Sequence, residues 1–133
     1  MRIIGVDYGT KRVGVAASSE DGGFALPHSV IQNIGGIDAL AAAIVAIAKE
    51  KEATTVVLGE SRNYAGAANP VMTESLALKA TLEKSGLAVI MEPEFMTSHQ
   101  AERLRHELKG NADMRDASAA ALILQSFLDK QPK

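Results

Sequence analysis

This sequence predicts a mixed α/β fold, one five-stranded sheet with helices on both faces, and three observations predict it. The first thirty or so residues form short apolar runs separated by Gly-containing turns, the signature of an antiparallel strand meander. From Ile37 onward the apolar spacing becomes helical and alternates with short β-branched runs. A chain of 133 residues is long enough for one domain with a substantial core, and residues 1–133 read as a single domain.

The first strand is Arg2 to Gly9, turning at Gly9-Thr10-Lys11 into a second from Arg12 to Ala17. Ser18 to Gly23 holds Asp-Gly and Gly-Gly and reads as a turn. A third strand runs from about Phe24 to Val30, and Pro27 within it suits a sheet edge. Ile37, Leu40, Ile44, Ile47 and Ala48 then fall at helical spacing. Thr54 to Leu58 is a short buried strand, followed by a polar loop from Gly59 to Asn69. Pro70 fits the first turn of a second helix, which runs to about Lys84. Leu87 to Met91 is the last strand. Thr97 with Gln100 resembles a capping box for a helix carrying Ala101, Leu104 and Leu108. Asp113 caps a final helix through about Leu128. Helical crossovers make the strands around Val56 and Val89 parallel to the first. Their C-terminal ends therefore gather at one edge, where open α/β sheets bind ligands.

Composition narrows the chemistry. There is no cysteine, which excludes disulfides, thiolate nucleophiles and Cys-based zinc sites. No apolar run reaches the ~18 residues of a membrane span, so no membrane partner is expected. The N-terminus enters a strand without a signal-peptide pattern, and the expected location is the cytoplasm. Net charge is −2, so any nucleic-acid binding must use a local patch.

The most informative residue is Asp7. It shares a strand face with Ile3 and Gly5, and a strand this apolar should be covered on both sides. An unpaired carboxylate there is costly to bury, so it needs a partner. Glu60, Glu92 and Glu94 follow the fourth and fifth strands at the same edge. Asp116 stands at the N-terminal end of the helical stripe Ala119, Ala120, Ile123 and Phe127. Carboxylates clustered without His or Cys suit a hard cation, Mg²⁺ or Mn²⁺. Two such ions about 4 Å apart can clamp the attacking water and the leaving oxygen of a phosphodiester. The plainer readings are a helix cap for Asp113, a capping-turn acid for Asp116, and solvated surface for Glu20 and Glu92.

Gly5-Val6-Asp7-Tyr8-Gly9-Thr10-Lys11-Arg12-Val13-Gly14-Val15-Ala16 closely resembles the opening of the YqgF/RuvX family, described as Holliday junction resolvases or pre-16S ribosomal RNA nucleases. Ala25-Leu26-Pro27, Val57-Leu58-Gly59 with Asn63-Tyr64-Ala65-Gly66, Glu94 with Thr97-Ser98 and Ala101, and Asp116 with Ala119-Ala120, Ile123-Leu124-Gln125 and Leu128 resemble its later motifs. The resemblance implies a ribonuclease H-like fold, in agreement with the element order above. It further implies Asp7, Glu94 and Asp116 as catalytic acids holding Mg²⁺ or Mn²⁺, with Glu60 as an alternative second acid. The implied activity is endonucleolytic hydrolysis of structured nucleic acid, either precursor ribosomal RNA or branched DNA.

The chain departs from the family where its D-E-R becomes Pro93-Glu94-Phe95 and where the aspartate of N-x-D-G becomes Ala65. An arginine can grip phosphate bidentately and Phe95 cannot. These departures motivate a rival reading, a nucleic-acid-binding module of the same fold that has lost catalysis. A third reading, a nucleotide-binding phosphotransferase, rests on the likeness of Asp7-Tyr8-Gly9-Thr10 to sugar-kinase phosphate loops, a short signal. Thr10, Lys11, Arg12, Arg62, Asn63, Lys109 and Arg115 are the candidate nucleic-acid contacts, the alternative for each being ordinary surface polarity. Oligomeric state is open, a homodimer included. His28, His99 and His106 show no ligand spacing.

Overall fold

The computed structural model describes residues 2–60, 70–93 and 112–131, with the backbone alone at Glu60, Pro93, 70–72 and 112–116. Five strands form one sheet: β1 (Arg2–Asp7), β2 (Arg12–Ser18), β3 (Ala25–Gln32), β4 (Ala53–Glu60) and β5 (Ala88–Pro93). Three helices accompany them among the described residues: α1 (Gly36–Glu50), α2 (Pro70–Lys84) and α3 (Ala112–Asp129). The helix expected from Thr97 lies outside the described residues.

The spatial order is β3-β2-β1-β4-β5. The first three strands are antiparallel, and β4 and β5 run parallel to β1. That is the mixed sheet the sequence predicts. Pro27 lies on β3, an edge strand, where its missing N–H costs no ladder bond, and the β2–β3 register shifts beside it between Val15 and Ala16. The β2–β3 turn closes on Asp21, whose Oδ1 accepts hydrogen bonds from Ser19 Oγ at 2.6 Å and Gly23 N at 3.0 Å. Gly22 there takes a φ of 78°, which an L-residue adopts only with strain.

Strand alternation builds two cores. Ile4, Val6, Val13, Val15, Val56 and Leu58 pack under α1 and α2. Ala16 and Val57 pack under Ala120, Ile123 and Leu124 of α3 on the other face. The closest approach is at Gly5, where an added Cβ would lie 2.7 Å from Leu124 Cβ and 3.0 Å from the Ala120 carbonyl oxygen. Helix α3 rests directly on the β1 backbone at that point.

Two expectations change. The buried row of α3 is Ala117, Ala120, Ile123 and Leu124, rotated slightly from the expected stripe. Glu92 is not solvated surface: it is buried, accepting a hydrogen bond from Ser126 Oγ at 3.1 Å and pairing with Lys130. Its place on β5 faces α3, so the carboxylate must be buried and must be paired. Glu20 is solvated as expected, in a surface pair with Arg2 at 3.1 Å.

Ser75 on α2 is fully buried beside Leu78, with no hydrogen-bond partner for its hydroxyl among the described residues. An unsatisfied buried hydroxyl costs about 1–3 kcal/mol. Ser75→Ala should therefore raise stability by roughly 1 kcal/mol, read as a higher urea midpoint at unchanged slope. A lower midpoint would mean that the hydroxyl has a partner.

Candidate active site

The parallel strands end together: β1 at Asp7, β4 at Glu60, β5 at Pro93. Asp7 is the last residue of β1, half-buried, on the face that α3 covers. Its place follows from alternation, since Gly5 on the same face touches Ala120 and Leu124. At the far end of the sheet, Gln125 Oε1 accepts a hydrogen bond from Ala25 N at 2.9 Å, and Ala25 stands opposite Ser18. Leu124 and Ala120 of α3 therefore lie over Gly5, two residues before Asp7 on the same strand face. Asp116 belongs to the same helix, one turn before Ala120.

Glu60 is the last residue of β4 rather than the first beyond it. Glu94, Arg62, Asn63 and Lys109 lie outside the described residues, and Arg115 stands in the first turns of α3. Among the described residues no three His, Asp or Glu side chains converge. The donor chemistry available at this edge is carboxylate oxygen, which fits a hard divalent cation.

Thr10 and Lys11 on the β1–β2 turn, and Arg12 at the start of β2, are exposed just beyond Asp7. The turn is tight at Gly9, where a Cβ would come within 2.4 Å of the Arg12 carbonyl oxygen. Sequence reasoning missed what holds it. Asn33 Nδ2 donates to the Gly9 carbonyl at 2.8 Å and to Tyr8 Oη at 3.2 Å. Tyr8 Oη in turn donates to Glu74 Oε2 at 2.6 Å. Burial, then the hydrogen bond to Glu74, pushes the Tyr8 phenol above its usual range, so it remains a donor. Asn33 at the end of β3 and Glu74 on α2 are far apart in sequence, and only the fold brings them to Tyr8. An open cleft of about 240 Å³, lined by Tyr8, Thr10, Asn33, Gly36, Ile37 and Glu74, adjoins this network.

Comparison with known proteins adds to this geometry. A family model described as RuvX, Holliday junction resolvase, matches residues 1–130. A protein of Chlamydia muridarum named as a candidate pre-16S rRNA nuclease is 36% identical over 137 residues, covering 96% of this chain and 91% of the relative. One of Opitutus terrae with the same name is 33% identical over 137 residues, covering 98% and 93%. Among solved structures, Thermus thermophilus RuvC aligns with a TM-score of 0.63 at 15% identity, covering 96% of this chain and 94% of that one. A fowlpox virus resolvase in complex with Holliday junction DNA aligns with a TM-score of 0.56 at 11% identity, covering 97% and 99%. These structural likenesses establish the shared ribonuclease H-like fold.

Proposed function

The chain belongs to the RuvX family of Holliday junction resolvases, and on that premise we propose that it is a divalent-metal-dependent nuclease acting on structured nucleic acid. The observation that supports this best is Asp7. It is a half-buried carboxylate at the C-terminal end of the central strand, on the face that α3 covers. Asp7, Glu94 and Asp116 are the residues that would hold Mg²⁺ or Mn²⁺, with Glu60 as the alternative second acid. When bound, the metal supplies Lewis-acid stabilisation of the charge that builds on the phosphodiester. The chain's own residues bind and orient the substrate. Thr10 and Lys11 take the phosphate backbone beside Asp7, and the Asn33–Tyr8–Glu74 network keeps their turn rigid. Phosphate contacts of this kind position the substrate without reading sequence. The enzyme is read as cytoplasmic; no described helix is long and apolar enough to cross a membrane.

The test is cleavage of end-labelled precursor 16S rRNA and of a four-way DNA junction, each with Mn²⁺, with Mg²⁺ and with chelator. Metal-dependent cleavage that chelator abolishes is expected, and the better substrate identifies the natural class. Tight binding of both without any metal-dependent cleavage would overturn the nuclease in favour of the binding module that Pro93, Phe95 and Ala65 suggest.

The second acid can be identified in the same assay. Glu94→Gln should abolish cleavage while leaving RNA binding nearly intact, whereas Glu60→Gln should cost much less. The reverse ranking would move the metal site from the end of β5 to the end of β4.

A further inference from the structure

The cleft beside the β1–β2 turn has no part in holding metal: Tyr8, Ile37 and Glu74 place it on the α1 and α2 face of the sheet, opposite the face of Asp7, and it meets the proposed site at the turn. Tyr8 directly follows Asp7, and Thr10 belongs both to the cleft wall and to the turn that would carry the phosphate backbone. Its volume of about 240 Å³ falls below the ~300–1,000 Å³ of pockets that enclose whole small molecules. It is sized for one part of a larger ligand.

The hydrogen bonds within its wall decide which part. Asn33 commits its amide donor to Gly9 and Tyr8, and Glu74 commits Oε2 to the Tyr8 hydroxyl. What remains of these two side chains, without a hydrogen bond among the described residues, is Glu74 Oε1 and Asn33 Oδ1. Both are acceptors, so the Asn33–Glu74 side of the cleft takes a donor. The charge on Glu74 turns away phosphate. Because Tyr8 already fixes the Glu74 carboxylate, a ligand need not order it on binding.

We propose that Glu74 and Asn33 form a sugar-reading subsite that accepts the 2′-hydroxyl of one ribonucleotide of bound RNA. The 2′-hydroxyl is the donor that RNA has at every nucleotide and DNA lacks, and a site built on it distinguishes the two irrespective of sequence. The proposal rests on the nuclease reading for the path of the phosphate backbone past Thr10 and Lys11. It goes further by naming the residues that select RNA.

The experiment measures binding in the Asp7→Asn background with chelator present, so that turnover is negligible, using an RNA and a DNA of identical sequence and secondary structure. RNA should bind about tenfold more tightly, the effect of one hydrogen bond to a charged acceptor. Glu74→Ala should collapse that ratio toward one. A scan of single 2′-deoxy substitutions along the RNA, read with Glu74 intact, should reproduce the loss at one position only. That scan needs no variant at Glu74 and so is independent of any effect on folding. Equal losses on RNA and DNA in Glu74→Ala, or a flat deoxy scan, would overturn the subsite and leave Glu74 as a support for the turn. Failure of the nuclease reading looks different: the otherwise unsubstituted protein would cleave neither substrate with Mn²⁺, while the binding ratio could still be measured.

Discussion

Asp7→Asn should lower the cleavage rate by about 10³-fold. The exchange preserves size and removes one charge at the edge where a cation is expected. Metal stabilisation of developing charge is worth several kcal/mol, and each 1.36 kcal/mol is a factor of about ten in rate. The same substitution has a signature independent of activity. Converging carboxylates raise one another's pKa when no cation is bound and are relieved when one binds. Millimolar Mn²⁺ or Mg²⁺ should therefore raise the melting temperature of the unsubstituted protein by mass action on the folded state. In Asp7→Asn that rise should vanish, with the metal-free melting temperature unchanged or higher. Equal metal stabilisation of both proteins would show that Asp7 is not a ligand, whatever happens to the rate.

Gly5→Ala should cost stability and activity together, for one geometric reason. The new Cβ would sit 2.7 Å from Leu124 Cβ and 3.0 Å from the Ala120 carbonyl oxygen, both on the inner side of α3. Neither is the end of a flexible side chain, so the helix itself must move outward. Overpacking of this kind costs about 1–3 kcal/mol. The functional loss should exceed what stability explains. Helix α3 carries Asp116 and β1 carries Asp7, so displacing one from the other by about 1 Å can cost on the order of 10²-fold in rate even where the protein is fully folded. The check is a melting curve together with cleavage measured well below the transition. A folded Gly5→Ala protein of normal activity would mean that the spacing of β1 and α3 does not set the site.

Several features were legible because they are written locally. Pro27 predicts an edge strand by its missing donor, and β3 is at the edge. Pro70 predicts the start of a helix, and α2 begins there and ends at Lys84. Alternation along β1 places Asp7 on the face of Gly5, which is the face α3 covers. Other features could not be read this way. Glu92 looks like surface because a glutamate usually is; it is buried because β5 turns it toward Ser126 and Lys130, 34 and 38 residues later in the chain. Gly5 looks like one more small residue in an apolar strand until Ala120 and Leu124, 115 and 119 residues later, are found lying on it.

The chain by itself determined the order of its described elements, the mixed sheet and the family, because hydrophobic period, turn residues and motif spacing act over a few residues at a time. Tertiary structure alone decided that Asn33 and Glu74 meet at Tyr8, that Glu92 is buried and paired, and that α3 touches β1 at Gly5. Those facts depend on which distant segments share a volume. That is settled by packing two amphipathic layers against opposite faces of one sheet, and no local stretch of sequence carries it.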